Sequence, residues 1–194
     1  MRVDNPSMPS PQASLVQLRV LIESDLPAFV SLRNASLLRH PDAFTSDYAT
    51  EKDKPPQAFA SRLGAAESGH FILGAFDERG NLLGTIAMER DRDVRPQKRH
   101  IAHITAVMVL EAAQGQGIAA KLVARCVELA QSNSSVDQLI LTVTASNARV
   151  VRLYERAGFV PYGLLPRAIL VQGQFFDKLH MRLDLAALRE NSTP

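Results

Sequence analysis

At 194 residues, 46% of them apolar and 22% charged, the chain has the length and composition of one globular domain with its own core. A formal charge of +2, without any run of five basic residues, argues against a nucleic-acid partner. The single cysteine, Cys126, excludes an intrachain disulfide and a multi-cysteine zinc site, and no apolar run reaches the ~20 residues of a membrane helix.

Residues 1–13 are rich in Pro and Ser, lack an apolar core and so are not a secretory signal; they read as a flexible leader. The expected domain is 14–186, with a tail at 187–194, in a soluble cytoplasmic protein that touches no membrane. Residues 15–21 alternate apolar with polar side chains, as a strand does. Ser24 and Asp25 then offer a helix N-cap, followed by Pro27 in the first turn and a stripe of Phe29, Leu32, Leu37 and Leu38. Prolines among charges make 39–56 a loop, and 56–66 is read as a second helix. Apolar runs at 71–76 and 82–88 flank the polar turn Asp77-Glu78-Arg79-Gly80-Asn81, a hairpin signature. After a charged loop at 90–99 come a long strand at 100–110, a helix at 118–131 and a strand at 139–144. A helix at 148–157, capped by Ser146 or Asn147 and closed by Gly158, precedes strands at 160–164 and 175–183. The order predicts an α/β (α+β) fold with an antiparallel first half and one strand–helix–strand crossover.

Between the strand at 100–110 and the helix at 118–131 lies Gln114-Gly115-Gln116-Gly117-Ile118-Ala119. Two glycines at a strand-to-helix junction let the backbone turn sharply and lie close to a ligand. The orphan amides of the new helix then converge on an anion, which makes a pyrophosphate the natural guest. A tight turn alone would account for the glycines equally well. No Gly-Lys-Ser/Thr follows, so the segment is not a P-loop. Gly115, Gly117 and Ala120 match a dinucleotide fingerprint, but the required acidic residue, Asp137, precedes the next strand where it should end it.

Val107-Met108-Val109 followed by this loop resembles the acetyl-CoA motif of the GNAT superfamily of N-acetyltransferases. Asn147 and then Leu153-Tyr154-Glu155-Arg156-Ala157-Gly158-Phe159 resembles that family's second CoA motif. The departures are Val150 where Ala is common, Ala119 where Gly is commoner and Glu111 where Pro is frequent. The resemblance spans the expected domain and is weakest in the first half. It implies a mixed, centrally splayed sheet of about seven strands with helices on both faces. It implies acetyl transfer from acetyl-CoA to a primary amine, by direct attack through a tetrahedral intermediate and without a metal.

By the same resemblance, backbone groups of Val107, Met108 and Val109 pair with the pantetheine arm, and the amides of Gln114, Gly115, Gln116, Gly117, Ile118 and Ala119 hold the pyrophosphate. Asn147 bonds the cofactor or a nearby backbone group. The Val109 amide, or a neighbour, serves the oxyanion, and Tyr154 is the candidate general acid. The strand carries no Glu for a base, which leaves His103, His100 and, from the neighbouring strand, Glu89. A structural histidine or a core-facing tyrosine are the blander readings of these residues. A β-bulge would exchange the strand faces on which the two histidines lie. Glu89, Asp91 and Asp93 suit a cationic amine and Arg167 a carboxylate, if they are more than solvated charges. Cys126, on the apolar stripe of its helix, is a packing residue and not an acyl-enzyme nucleophile. Acceptor contacts are expected from 39–56 and 164–174. A small-molecule amine is the first expectation; a ribosomal-protein-alanine-like N-terminal acetyltransferase or a non-catalytic acyl-CoA-binding module are the others, and a homodimer is compatible with all three.

Overall fold

The computed structural model describes residues 15–90 and 96–190. The expected leader, Asp91, Asp93 and the last four residues of the expected tail lie outside these. Seven strands form one sheet in the order β1-β2-β3-β4-β5-β7-β6. They are β1 (Gln17–Val20), β2 (Phe71–Phe76), β3 (Leu82–Glu89), β4 (Ile101–Val109), β5 (Gln138–Thr144), β6 (Val160–Val171) and β7 (Gln174–Asp184). All neighbours pair antiparallel except β4 and β5, which are parallel and joined through a crossover helix.

Helices cover both faces. α1 (Leu26–Arg39) lies on one, burying Leu26, Phe29 and Leu32 with Ile72, Ala87 and Met108 of the sheet. α3 (Ile118–Ser132) lies on the other, burying Ile118, Leu122 and Cys126 with Leu73, Ile86 and Ala102. β2 is therefore buried at every residue: its two sets of alternating side chains feed two different cores. α2 (Tyr48–Glu51) is a single turn within the expected 39–56 loop, capped by the Asp47 carboxylate on the Thr50 amide. α4 (Ala148–Arg156) follows β5, and α5 (Leu185–Glu190) follows β7.

The structure departs from the sequence expectations at four places. Asp25 does not cap α1; its carboxylate is held by Arg19 at 2.6 and 2.9 Å and by the Ile22 amide. The expected helix at 56–66 is two 3-10 turns, Pro56–Arg62 and Ala66–Ser68, because the Pro55-Pro56 pair and Gly64 leave too short a run for α-helical bonding. β6 continues to Val171 past a bulge at Arg167, whose φ is 53° and whose amide donates to Asp177 Oδ1. Residues 187–190 are not tail but the end of α5, where Arg189 donates to the carbonyls of Gln131, Asn133 and Val136.

Two irregularities create the central gap. β4 and β5 pair only where Ile101, Ala102 and His103 face Gln138, Leu139 and Ile140. β5 then stays bonded to β7 as far as Thr144, while β4 stays bonded to β3, so the two diverge. β4 also carries one extra residue against β3 between the pairs Ala87–Thr105 and Thr85–Met108, with Ala106 at φ 49°. That bulge exchanges the faces of the strand: Ala102 and Ile104 pack on the α3 side, Met108 on the α1 side. The Thr85 hydroxyl donates to the Ala106 carbonyl at 2.8 Å and fixes it. Among the described residues no helix is long and apolar enough to cross a membrane.

Candidate active site

The loop after β4 has an unusual surplus of donors. Gln114 N is satisfied by Glu111 O, and the next amide to reach a carbonyl is that of Lys121, on Gly117 O at 3.1 Å. The amides from 115 to 120 therefore have no carbonyl partner among the described residues, at the positive end of a four-turn helix. Gly115 and Gly117 adopt φ of 81° and 75°, where a side chain is strained. A Cβ built on either meets no atom within 4 Å, so conformation and not crowding by the protein requires glycine there. The side chains of Gln114 and Gln116 turn back to the Val109 and Ala112 carbonyls, leaving the amide cradle open. This donor set fits a pyrophosphate.

The cradle opens into a cavity of about 810 Å³ that follows the gap between β4 and β5. One wall is β4 from Ile104 to Val109, beyond the last residue paired with β5. The Leu110 amide donates to Leu83 O of β3, so strand alternation turns the Val109 amide the other way, into the gap. Of the expected cofactor residues, Val107, Met108, Val109, Gln114, Gly115, Gly117, Ile118, Ala119 and Asn147 line the cavity; Gln116 does not. Asn147 Oδ1 caps α4 by accepting from the Val150 amide at 3.2 Å.

Tyr154 lines the same cavity from α4 and is only 5% exposed. Its ring stands edge-on to Phe159 at 5.7 Å, which fixes its direction. Its hydroxyl makes no hydrogen bond among the described residues. Burial, with a smaller contribution from Cys126, pushes the phenol pKa above its ordinary value, so it keeps its proton throughout the neutral range. Cys126 itself is fully buried in the α3 core, and burial pushes its thiol up to about 12.

The two histidines are not on the cavity wall. His100 precedes β4 and is exposed, and its carbonyl accepts from the Asp137 and Gln138 amides. His103 lies opposite Ile140, where β4 and β5 are still paired; the gap opens only beyond it. Glu89 does line the cavity, at the end of β3. Arg62 Nε donates to its Oε1 at 2.6 Å, Thr105 Oγ1 donates to its Oε2 at 2.9 Å, and Arg62 Nη2 closes the ring by donating to Thr105 Oγ1 at 3.1 Å. Burial alone would raise the Glu89 pKa, but the Arg62 guanidinium and the Thr105 hydroxyl outweigh it and hold the carboxyl below its usual range.

Of the segments expected to meet the acceptor, 39–56 supplies His40 and residues 42–46 to the wall, whereas 164–174 supplies none. Arg167 lies instead over the Phe175 ring at 3.9 Å. Five cationic side chains of the wall escaped the sequence reading: Arg33, Arg62, Arg149, Arg156 and Lys178. Arg149 and Arg156 are exposed and seven apart, on one stripe of α4 that is not the stripe burying Tyr154, so they border the cavity from its rim. Arg33 and Lys178 sit within apolar runs whose pattern gives no hint of a cavity.

The family model described as the acetyltransferase (GNAT) family matches residues 33–159. YwnH of Bacillus subtilis (strain 168), named as a candidate phosphinothricin acetyltransferase, is 27% identical over 160 residues, 82% of this chain and 93% of that protein. The L-amino acid N-acetyltransferase AaaT of Escherichia coli (strain K12) is 26% identical over 102 residues, 53% of this chain and 61% of that protein. The structure of yncA from Salmonella typhimurium, a candidate acetyltransferase described with its cofactor acetyl-CoA, superposes with a TM-score of 0.75. It shares 23% identity and covers 89% of this chain and 95% of its own, which shows a common fold.

Proposed function

The chain belongs to the GNAT family and is an acetyl-CoA-dependent acyltransferase; from that premise we propose that its acceptor is the amino group of a small, amino-acid-like molecule. One observation carries the proposal: a single cavity runs from the amide cradle at 115–120, along the unpaired edge of β4, to the Arg62–Glu89 pair. A phosphate-bearing donor fits one end, and a molecule with both an ammonium and a carboxylate fits a guanidinium and a carboxylate held side by side at the other. The names of the relatives, a phosphinothricin and an L-amino acid acetyltransferase, describe acceptors of this kind.

In this reading the cradle amides hold the pyrophosphate, and the edge of β4 from Val107 to Val109 holds the pantetheine arm. Acetyl-CoA supplies an activated thioester. Once the acceptor ammonium has lost one proton to solvent, its neutral nitrogen attacks the thioester carbonyl carbon, and the Val109 amide receives the developing oxyanion. As the C–N bond completes, the C–S bond breaks and Tyr154 gives its phenolic proton to the departing thiolate, while the nitrogen's surplus proton passes through solvent to restore the phenol. Glu89, ionised at neutral pH, attracts the acceptor ammonium, and Arg62 takes the carboxylate. His100 and His103 have no part in this reading because the gap opens beyond them. A panel of amino acids, simple amines and peptides with free N-termini, assayed for acetyl-CoA-dependent thiol release, tests it. Turnover confined to amino-acid-like amines is expected. Turnover of peptides alone would favour a protein N-terminal acetyltransferase, and CoA binding without turnover a non-catalytic module; either result overturns the proposal.

A further inference from the structure

Lys178 on β7 is 4% exposed and is the one lysine among the described residues in the buried class. Its Nζ donates to the Ala43 carbonyl at 2.8 Å, to Thr144 Oγ1 at 2.9 Å and to the Asp42 carbonyl at 3.4 Å. An ammonium has three N–H groups, and these three acceptors use them all, so none is left for a ligand. Thr144, 2% exposed at the end of β5, completes the arrangement by donating its own hydroxyl proton to the Asp42 carbonyl at 2.7 Å. Both side chains converge on the first two residues of 42–46, a segment with no helix or strand of its own. At its far end Ser46 Oγ accepts from Arg33 Nη2 at 3.0 Å, and Arg33 is itself locked by two bonds to Glu51 Oε2. A length of irregular chain is thus held at both ends by buried cations.

All five residues of 42–46 line the cavity, and so does Lys178. The donor-binding parts, β4 and the amide cradle, take no bond from any of these anchors. Burying a lysine opposes folding unless its charge is well solvated by the protein, and an apolar side chain at 178 would keep every β7 ladder bond without that cost. Burial indeed lowers the Lys178 pKa from its ordinary value. What the lysine supplies, and an apolar residue could not, is the attachment of 42–46 to the sheet.

We infer that Lys178, with Thr144, is a positioning residue that fixes residues 42–46 as the acceptor-side wall of the cavity and so sets which amines fit. The inference rests on the acceptor reading above. The variants Lys178→Met and Thr144→Val remove the attachment from either side, and the second preserves shape should the first fail to fold. Three quantities are measured: KM for the best amine of the panel, Kd for CoA by calorimetry, and amide hydrogen exchange across 40–46. The expected result is an amine KM raised roughly tenfold, kcat and CoA Kd within about threefold of wild type, and faster exchange confined to 40–46. An unchanged amine KM, or a CoA Kd that weakens in step with it, overturns the inference. If the wild-type protein turns over no amine, the function proposal fails and the exchange measurement alone decides this one: 40–46 exchanging as in wild type would overturn it.

Discussion

Replacing Gly117 by alanine separates backbone strain from ligand binding. Gly117 sits at φ 75° and ψ 6°, the left-handed region, which costs a residue with a Cβ about 1–2 kcal/mol. No atom lies within 4 Å of the new methyl, so crowding adds nothing, and a stiffer unfolded chain returns about 0.5 kcal/mol. The net loss of about 1 kcal/mol should lower Tm by roughly 2–4 °C in a chain of this size. Binding should suffer far more, because a methyl in the open space beside the cradle's own backbone competes with a diphosphate for the approach to its amides. Losing one hydrogen bond to a charged group costs about 1.5–3 kcal/mol, or roughly 10- to 150-fold in CoA affinity. Gly80 supplies the control: it has φ 81°, an equally open Cβ position, and lies in the β2–β3 turn away from the cavity. Calorimetry and thermal melting on both variants should show similar Tm losses, with weakened CoA binding only for Gly117→Ala. If Gly117→Ala binds CoA like wild type, or Gly80→Ala binds it as poorly, the account of the loop is wrong.

Tyr154→Phe should cut kcat by about 100-fold or more while CoA affinity and Tm barely change, because the hydroxyl has no protein partner to lose; an unchanged kcat removes Tyr154 from the chemistry. The pH dependence of Glu89 has a definite sign. Its folded pKa is depressed, so its contribution to stability is fully present above the usual carboxylate value of ~4.3 and is lost as pH falls through the lower folded value. The Tm gap between wild type and Glu89→Gln should hold from neutrality to about pH 5 and narrow progressively below the usual carboxylate value of ~4.3; a gap that stays constant however far the pH is lowered contradicts the ion-pair reading. Cys126, with its thiol pushed up to about 12, should resist alkylation at pH 8 until the protein unfolds, and rapid labelling of native protein would show the α3 core to be open.

The parts of this fold that sequence reveals are those governed by local chemistry. The glycine spacing at 115 and 117, the apolar run of β2 and the cap at Ser146 or Asn147 each act within a few residues, and each was readable in advance. The bulge at Ala106 was not: nothing in Ile-Thr-Ala-Val marks it, since it answers to Thr85 on the neighbouring strand and to the divergence of β4 from β5. That one irregularity, with the end of β4–β5 pairing at His103, explains why the histidines fall short of the cavity and Glu89 reaches it. Lys178 was invisible for a related reason. Its partners Asp42 and Ala43 lie some 135 residues away in sequence, and their carbonyls carry no side-chain signature.

The amide cradle itself can be observed directly in a nitrogen-15 correlation spectrum of the labelled protein during CoA titration. Saturable shifts at Gly115, Gly117 and Ala119, at one CoA per chain and well beyond those in the β6–β7 hairpin, are the predicted result. Spectra in which those three amides stay fixed while CoA reaches millimolar concentration would contradict the assignment of this loop as the diphosphate site.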